Sequence, residues 1–193
     1  LDEDVMDSDS RISKVNIGLG HSNTAILIEE TTGAIHFDRL PMTRMNLSCT
    51  AEDGKQRESN GYNLAGREGF EFIDERRLEK LRTEAIKRTL FLLDAEQAPA
   101  GSMPVVLGAG SSGILLHEAI GHGMEADFNR KGISIYADRL NTRIAPEGVT
   151  IVDDGTRDHD RGAINLDDEG VEGQRTVLVE DGILRTYMHD RIS

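Results

Sequence analysis

The stretch MPVVLGAGSSGILLHEAIGHGMEADF, residues 103–128, decides how the rest of the chain is read. It opens on a short apolar run, Met103–Leu107, and passes through a glycine-serine turn, Gly108–Gly113. From Gly113 to about Phe128 the spacing predicts a helix. An apolar run, a glycine-rich turn and a helix also open a parallel βαβ unit. Gly108, Gly110 and Gly113 stand at the dinucleotide fingerprint spacing, so an oxidoreductase of that kind is one alternative. The surroundings argue against it. Asp138, the acid available for a ribose, comes 30 residues after Gly108, where about 20 are expected. The text beyond is of hairpin kind. Val149–Val152, Thr176–Glu180 and Ile183–Met188 read as strands, and Asp181-Gly182 between the last two is a strong hairpin signal.

Upstream the chain also reads as strands, from Ile12 to about Gln56. Ala25–Ile28 and Ala34–Phe37 flank a turn at Glu29–Gly33, and Met42–Ala51 runs into a second turn at Glu52–Lys55. Asn60–Gly69 holds three glycines and reads as a flexible loop. Asp74 is placed to cap a helix that runs to about Leu93, with Leu78, Leu81, Ala85, Ile86, Leu92 and Leu93 on its apolar side. The first ten residues are polar and read as frayed. Strands, helices and strands again predict an α+β fold with antiparallel sheets. The division expected is residues 1–100, strands plus a helix, and residues 101–193, the motif helix and a β region continuing beyond residue 193. Leu1 is not an initiator Met, which fits a piece of a longer chain or a processed one.

The 193 residues include 22 Lys+Arg against 35 Asp+Glu, a formal charge of −13. That balance disfavours a nucleic-acid backbone as partner, because phosphate binding needs a basic face. No stretch approaches the roughly 20 apolar residues of a spanning helix, so no membrane role is expected. One cysteine, Cys49, excludes an internal disulfide framework and reads as a buried small hydrophobe. Asp153–Asp181 carries ten acidic residues against three arginines. It reads as solvated turns, with a non-catalytic interaction module as the functional alternative.

The chemistry concentrates in His117-Glu118-Ala119-Ile120-Gly121-His122. Neutral imidazole is a common zinc ligand, and a neighbouring carboxylate can take a proton from water that the metal has made acidic. The familiar helical spacing places the two histidines four apart, whereas here they are five apart. On an ideal α-helix five residues put the rings about 140° apart, too far round for one ion. A π-bulge would return them to nearly one face, and Gly121 would ease that distortion. Glu125 and Asp127, one turn on, are carboxylates able to orient a ligand. His21, His36, His159 and His189 read as surface or hydrogen-bonded histidines.

The run PVVLGAGSSGILLHEAIGHGMEADFNRKG, followed by VDDG, DDEG and VLVEDGIL, resembles the TldD side of the TldD/PmbA family of peptidases. The resemblance covers nearly the whole chain. It implies a zinc-dependent peptidase of the bacterial or archaeal cytoplasm that acts on short or unfolded peptides. It implies assembly with a related subunit that lacks the motif. By the same resemblance His117 and His122 match the zinc-binding histidines and Glu118 the catalytic glutamate. The family's third ligand is a cysteine from a C-terminal region with no equivalent here, and Cys49 does not match it. Family members also carry the name of modulators of DNA gyrase, but no residue here supports DNA binding.

Overall fold

Met45, Leu47 and Cys49 alternate with polar neighbours, and that period of two builds one buried face of a sheet. The computed structural model of the protein describes residues 1–193, which form two units. The first comprises Leu1–Ala100 and Arg157–Ala163. Its sheet is antiparallel in the order β1 (Ile12–Glu29), β2 (Ile35–Asp53), β3 (Gln56–Gly66). The β1–β2 turn closes with Gly33 at φ 88°, a left-handed conformation that favours glycine. Register pairs Val15 with Cys49 and Leu47 with Tyr62, so core residues line up across the strands.

Helix α2, Glu75–Leu93, lies on that face. Asp74 caps it as expected, accepting the Arg77 N–H at 2.7 Å, and that hydrogen bond holds the Asp74 carboxyl below its ordinary pKa. Leu81, Ala85, Thr89 and Leu93 recur every four residues and are its buried stripe. The buried Thr89 hydroxyl is satisfied, its one proton shared between Ala85 O at 2.8 Å and Asn60 O at 3.2 Å. Burying a side chain such as Leu47 or Leu81 contributes roughly 1.5–3 kcal/mol.

Two expectations fail in this unit. Residues 60–66 belong to strand β3, not to a loop: Tyr62 and Leu64 pack on the core, and Gly61 lets β3 approach the Leu47 carbonyl where a Cβ would collide. The first residues are not frayed either. Asp2–Met6 form helix α1, because Val5 drops fully into the core beside Ile12. The loop 157–163 is tied to this unit through Arg67. Its N–H donates to His159 O at 2.9 Å, and its guanidinium donates to Ala163 O at 3.2 Å and Asp38 Oδ2 at 3.0 Å.

The second unit comprises Gly101–Thr156 and Ile164–Ser193. Its sheet is antiparallel, in the order β4 (Ile151–Asp154), β5 (Arg175–Glu180), β6 (Ile183–Leu184). Asp181 and Gly182 both take positive φ, 49° and 78°, as a two-residue hairpin turn requires. Strand β6 is shorter than expected, and Met188 leaves it to pair with Glu125. The core gathers Met124, Ile151, Leu178, Val179, Leu184 and Tyr187. The single helix expected over residues 113–128 is instead broken into α3 (Ser112–Leu116), a π turn (His117–Gly121), a 3-10 turn (His122–Met124) and α4 (Ala126–Arg130). The α+β class with antiparallel sheets is the observed one. No helix is long and apolar enough to cross a membrane.

Candidate metal centre

The π turn carries the motif. Its hydrogen bond runs from the His122 N–H to His117 O, five residues back, as the wide spacing required. The rings of His117 and His122 lie with centroids 4.5 Å apart at 73°. One ligand atom from each of His117, Glu118 and His122 falls within 4.8 Å of the others. All three side chains are exposed, so the group opens to solvent. Gly121 sits at φ −52°, ψ −57°, an ordinary helical conformation, so the distortion does not depend on glycine's freedom there.

His122 is oriented from the far side. Its Nδ1 lies 2.7 Å from Glu125 Oε1, while its Nε2 faces Glu118 Oε2 at 3.8 Å. A carboxylate accepts, so Nδ1 carries the proton and Nε2 presents a lone pair toward the shared space. The hydrogen bond to Glu125, with the Glu118 charge adding, raises the His122 pKa above its ordinary value. Two imidazoles and a carboxylate on one side of a turn, one imidazole already fixed by a second carboxylate, suit a borderline cation such as zinc. The residues present therefore fit the metal.

The remaining expected residues are distributed as follows. Glu125 joins the group, but Asp127 does not, since it pairs with Lys131 Nζ at 3.0 Å. His36 bonds Glu30 at 3.0 Å and His189 bonds Ser193 at 3.0 Å. His21 lies within β1 and bonds Thr43 Oγ1 at 2.9 Å. His159 is exposed at φ 65°. Cys49 is buried in β2. The dinucleotide alternative fails, because Met103–Leu107 forms no strand before the glycines and both sheets are antiparallel. Several acids of 153–181 are engaged in their own turns. Asp160 pairs with Arg157 at 2.8 Å, and Asp167 accepts the N–H groups of Glu169 and Val171. Motif reading missed the supports of the site: Asn129, Ser134 and Met188, each bonded to the backbone just after His122. They stand outside any recognisable spacing. Met188 also lines a cleft of about 570 Å³, together with Asp153, Glu172 and His189.

A helix bend that gathers two imidazoles and a carboxylate is able to hold a metal ion, and comparison with known proteins sharpens that. The PmbA/TldA metallopeptidase central domain matches residues 1–93, and the PmbA/TldA metallopeptidase C-terminal domain matches residues 100–193. The chain belongs to the PmbA/TldD metallopeptidase family. A metalloprotease TldD homolog of Haemophilus influenzae is 41% identical over 198 residues, a match covering 100% of this chain and 41% of that protein. A zinc metalloprotease TldD homolog of Saccharolobus solfataricus is 42% identical over 106 residues, covering 54% of this chain and 24% of that protein. The solved structure of TldE from Thermococcus kodakarensis shares the fold, with a TM-score of 0.76 at 18% identity. That likeness covers 98% of this chain and 42% of TldE. The chain thus spans well under half the length of each of these relatives.

Proposed function

We propose that this chain carries the metal-binding motif of a zinc-dependent peptidase acting on short or unfolded peptides. The observation that carries the reading is the π turn, which brings His117, Glu118 and His122 together while Glu125 fixes His122. Relatives named metalloprotease and zinc metalloprotease support it. His117 and His122 would hold the zinc, with a further ligand from outside these residues. Bound there, zinc supplies Lewis-acid polarisation of a carbonyl and a more acidic water. Glu118 acts as general base: its carboxylate accepts the proton of the attacking water and passes it to the leaving amine. Glu125 holds the His122 ring in place through Nδ1. The family resemblance adds assembly with a related subunit lacking the motif to this reading. The cytoplasm is the compartment this reading implies.

The test uses the intact protein, purified without chelator. Near-stoichiometric zinc is expected, lost in His117→Ala/His122→Ala. Glu118→Gln should keep its zinc and lose peptide cleavage. A Glu118→Gln protein with both zinc and full activity would remove the assigned base.

A further inference from the structure

The backbone after His122 is irregular, and each of its carbonyls is held by something else. Residues 122–124 make a single 3-10 turn, and Glu125 is extended at φ −60°, ψ 133°. No regular helix satisfies the Gly123 and Met124 carbonyls, whereas Glu125 O also accepts the backbone N–H of Asn129 in α4 at 3.3 Å. Gly123 O accepts Asn129 Nδ2 at 2.9 Å and Ser134 Oγ at 2.6 Å. Glu125 O accepts the same Asn129 Nδ2 at 2.8 Å. Between them, Met124 is fully buried and its carbonyl accepts the Met188 N–H at 2.9 Å.

We propose that Asn129 is a positioning residue for the metal centre: by bridging the Gly123 and Glu125 carbonyls, with Ser134 on the first, it sets where His122 and Glu125 stand. This rests on the metal reading above. The orientation of the Asn129 amide follows from its partners. Two carbonyls accept only donors, so the NH₂ faces them and Oδ1 points away. That Oδ1 is buried without a hydrogen-bond partner. A buried acceptor left unpaired opposes folding, and an apolar side chain of the same size would avoid it. What asparagine provides in exchange is aim: one side chain fixes two backbone groups flanking Met124. The residue beyond each group is thereby fixed as well, His122 on one side and, through its own carboxylate, the Nδ1 partner of His122 on the other.

The experiment measures zinc affinity, by competition with a chromophoric chelator, and the absorption spectrum of the cobalt(II)-substituted intact protein. Asn129→Asp keeps the shape but turns an acceptor toward both carbonyls. Asn129→Leu removes the bridge and the unpaired oxygen together. Ser134→Ala removes the second donor, and Ser134→Thr restores a hydroxyl. Zinc binding is expected to weaken about tenfold or more in both Asn129 variants, as is usual when the support of a metal ligand is lost. The cobalt spectrum should shift, and Asn129→Leu should match the parent in urea. Ser134→Ala should weaken binding and Ser134→Thr recover it. Unchanged affinity and spectrum in Asn129→Leu and Ser134→Ala, with binding lost in His117→Ala, would overturn the positioning role and leave the metal reading intact. Affinity that falls only in step with urea stability, with an unchanged spectrum, would overturn it too. If His117→Ala binds zinc as the parent does, the metal reading falls and takes this role with it.

Discussion

Two glycines flank His122, and replacing each with alanine separates crowding from conformation. At Gly121 a Cβ would meet His117 Nδ1 at 3.5 Å, an ordinary contact, and φ −52° suits any residue. Alanine there gains helix preference of up to about 1 kcal/mol. At Gly123 a Cβ would stand 2.6 and 2.7 Å from two ring carbons of Tyr136. The ring's hydroxyl donates to Ala119 O at 3.5 Å, and the backbone that carries the ring is anchored on both sides. Tyr136 N donates to Ser134 Oγ at 3.1 Å, and Tyr136 O accepts Tyr187 Oη at 2.7 Å. Forcing a methyl into a packed contact of this kind costs about 1–3 kcal/mol. With a urea slope of about 1–3 kcal/mol/M, the midpoint should fall by about 1 M for Gly123→Ala. For Gly121→Ala it should stay level or rise. Urea unfolding followed by far-UV circular dichroism reads both. Equal midpoints, or a larger loss at Gly121, would refute the steric account and make glycine's freedom a requirement of the π turn.

Further outcomes follow from the cores and the charges. Leu81→Ala removes a fully buried side chain of α2 and should cost about 2–5 kcal/mol in urea unfolding. Arg67→Met removes a charge partner of Asp38 in a site where both side chains are only 7% exposed. It should cost about 3–5 kcal/mol, and the Arg67→Met/Asp38→Leu pair should cost less than the sum of its singles in a double-mutant cycle. In metal-free protein Glu125→Gln should bring the His122 pKa down toward 6.5, read by NMR titration of the ring. The sign follows from the raised folded value. The His122–Glu125 bond contributes fully below the unfolded pKa and loses its contribution as pH rises through the folded one. A His122 titration unmoved by the substitution would remove Glu125 as the cause.

What the sequence made legible is what local rules control. Asp74 capped its helix because a cap needs only its own next turn. Asp181-Gly182 turned because two residues at positive φ suffice. The five-residue spacing of His117 and His122 pointed to a π turn because helical geometry left no other way to gather the rings. Long-range packing hid the rest. Val5 lies in a polar stretch that read as frayed, and only the core beside Ile12 makes α1 form. The glycines of 60–66 read as a loop because what they serve lies on other elements: Gly61 admits the Leu47 carbonyl of β2 and Gly66 the Phe72 ring. Asn129 and Ser134 belong to no motif; their partners are backbone carbonyls that become available only where the helix breaks.

The buried position of Cys49 gives the first unit a clock of its own. It is the one thiol among the 193 residues, and it lies under α2, where burial pushes its pKa up. An alkylating reagent meets it only when helix and sheet part, so labelling counts opening events. None of His117, Glu118 and His122 is a thiol, so among these 193 residues only Cys49 consumes the reagent. Alkylation timed with and without zinc would then read whether occupying a group in the second unit slows the breathing of the first.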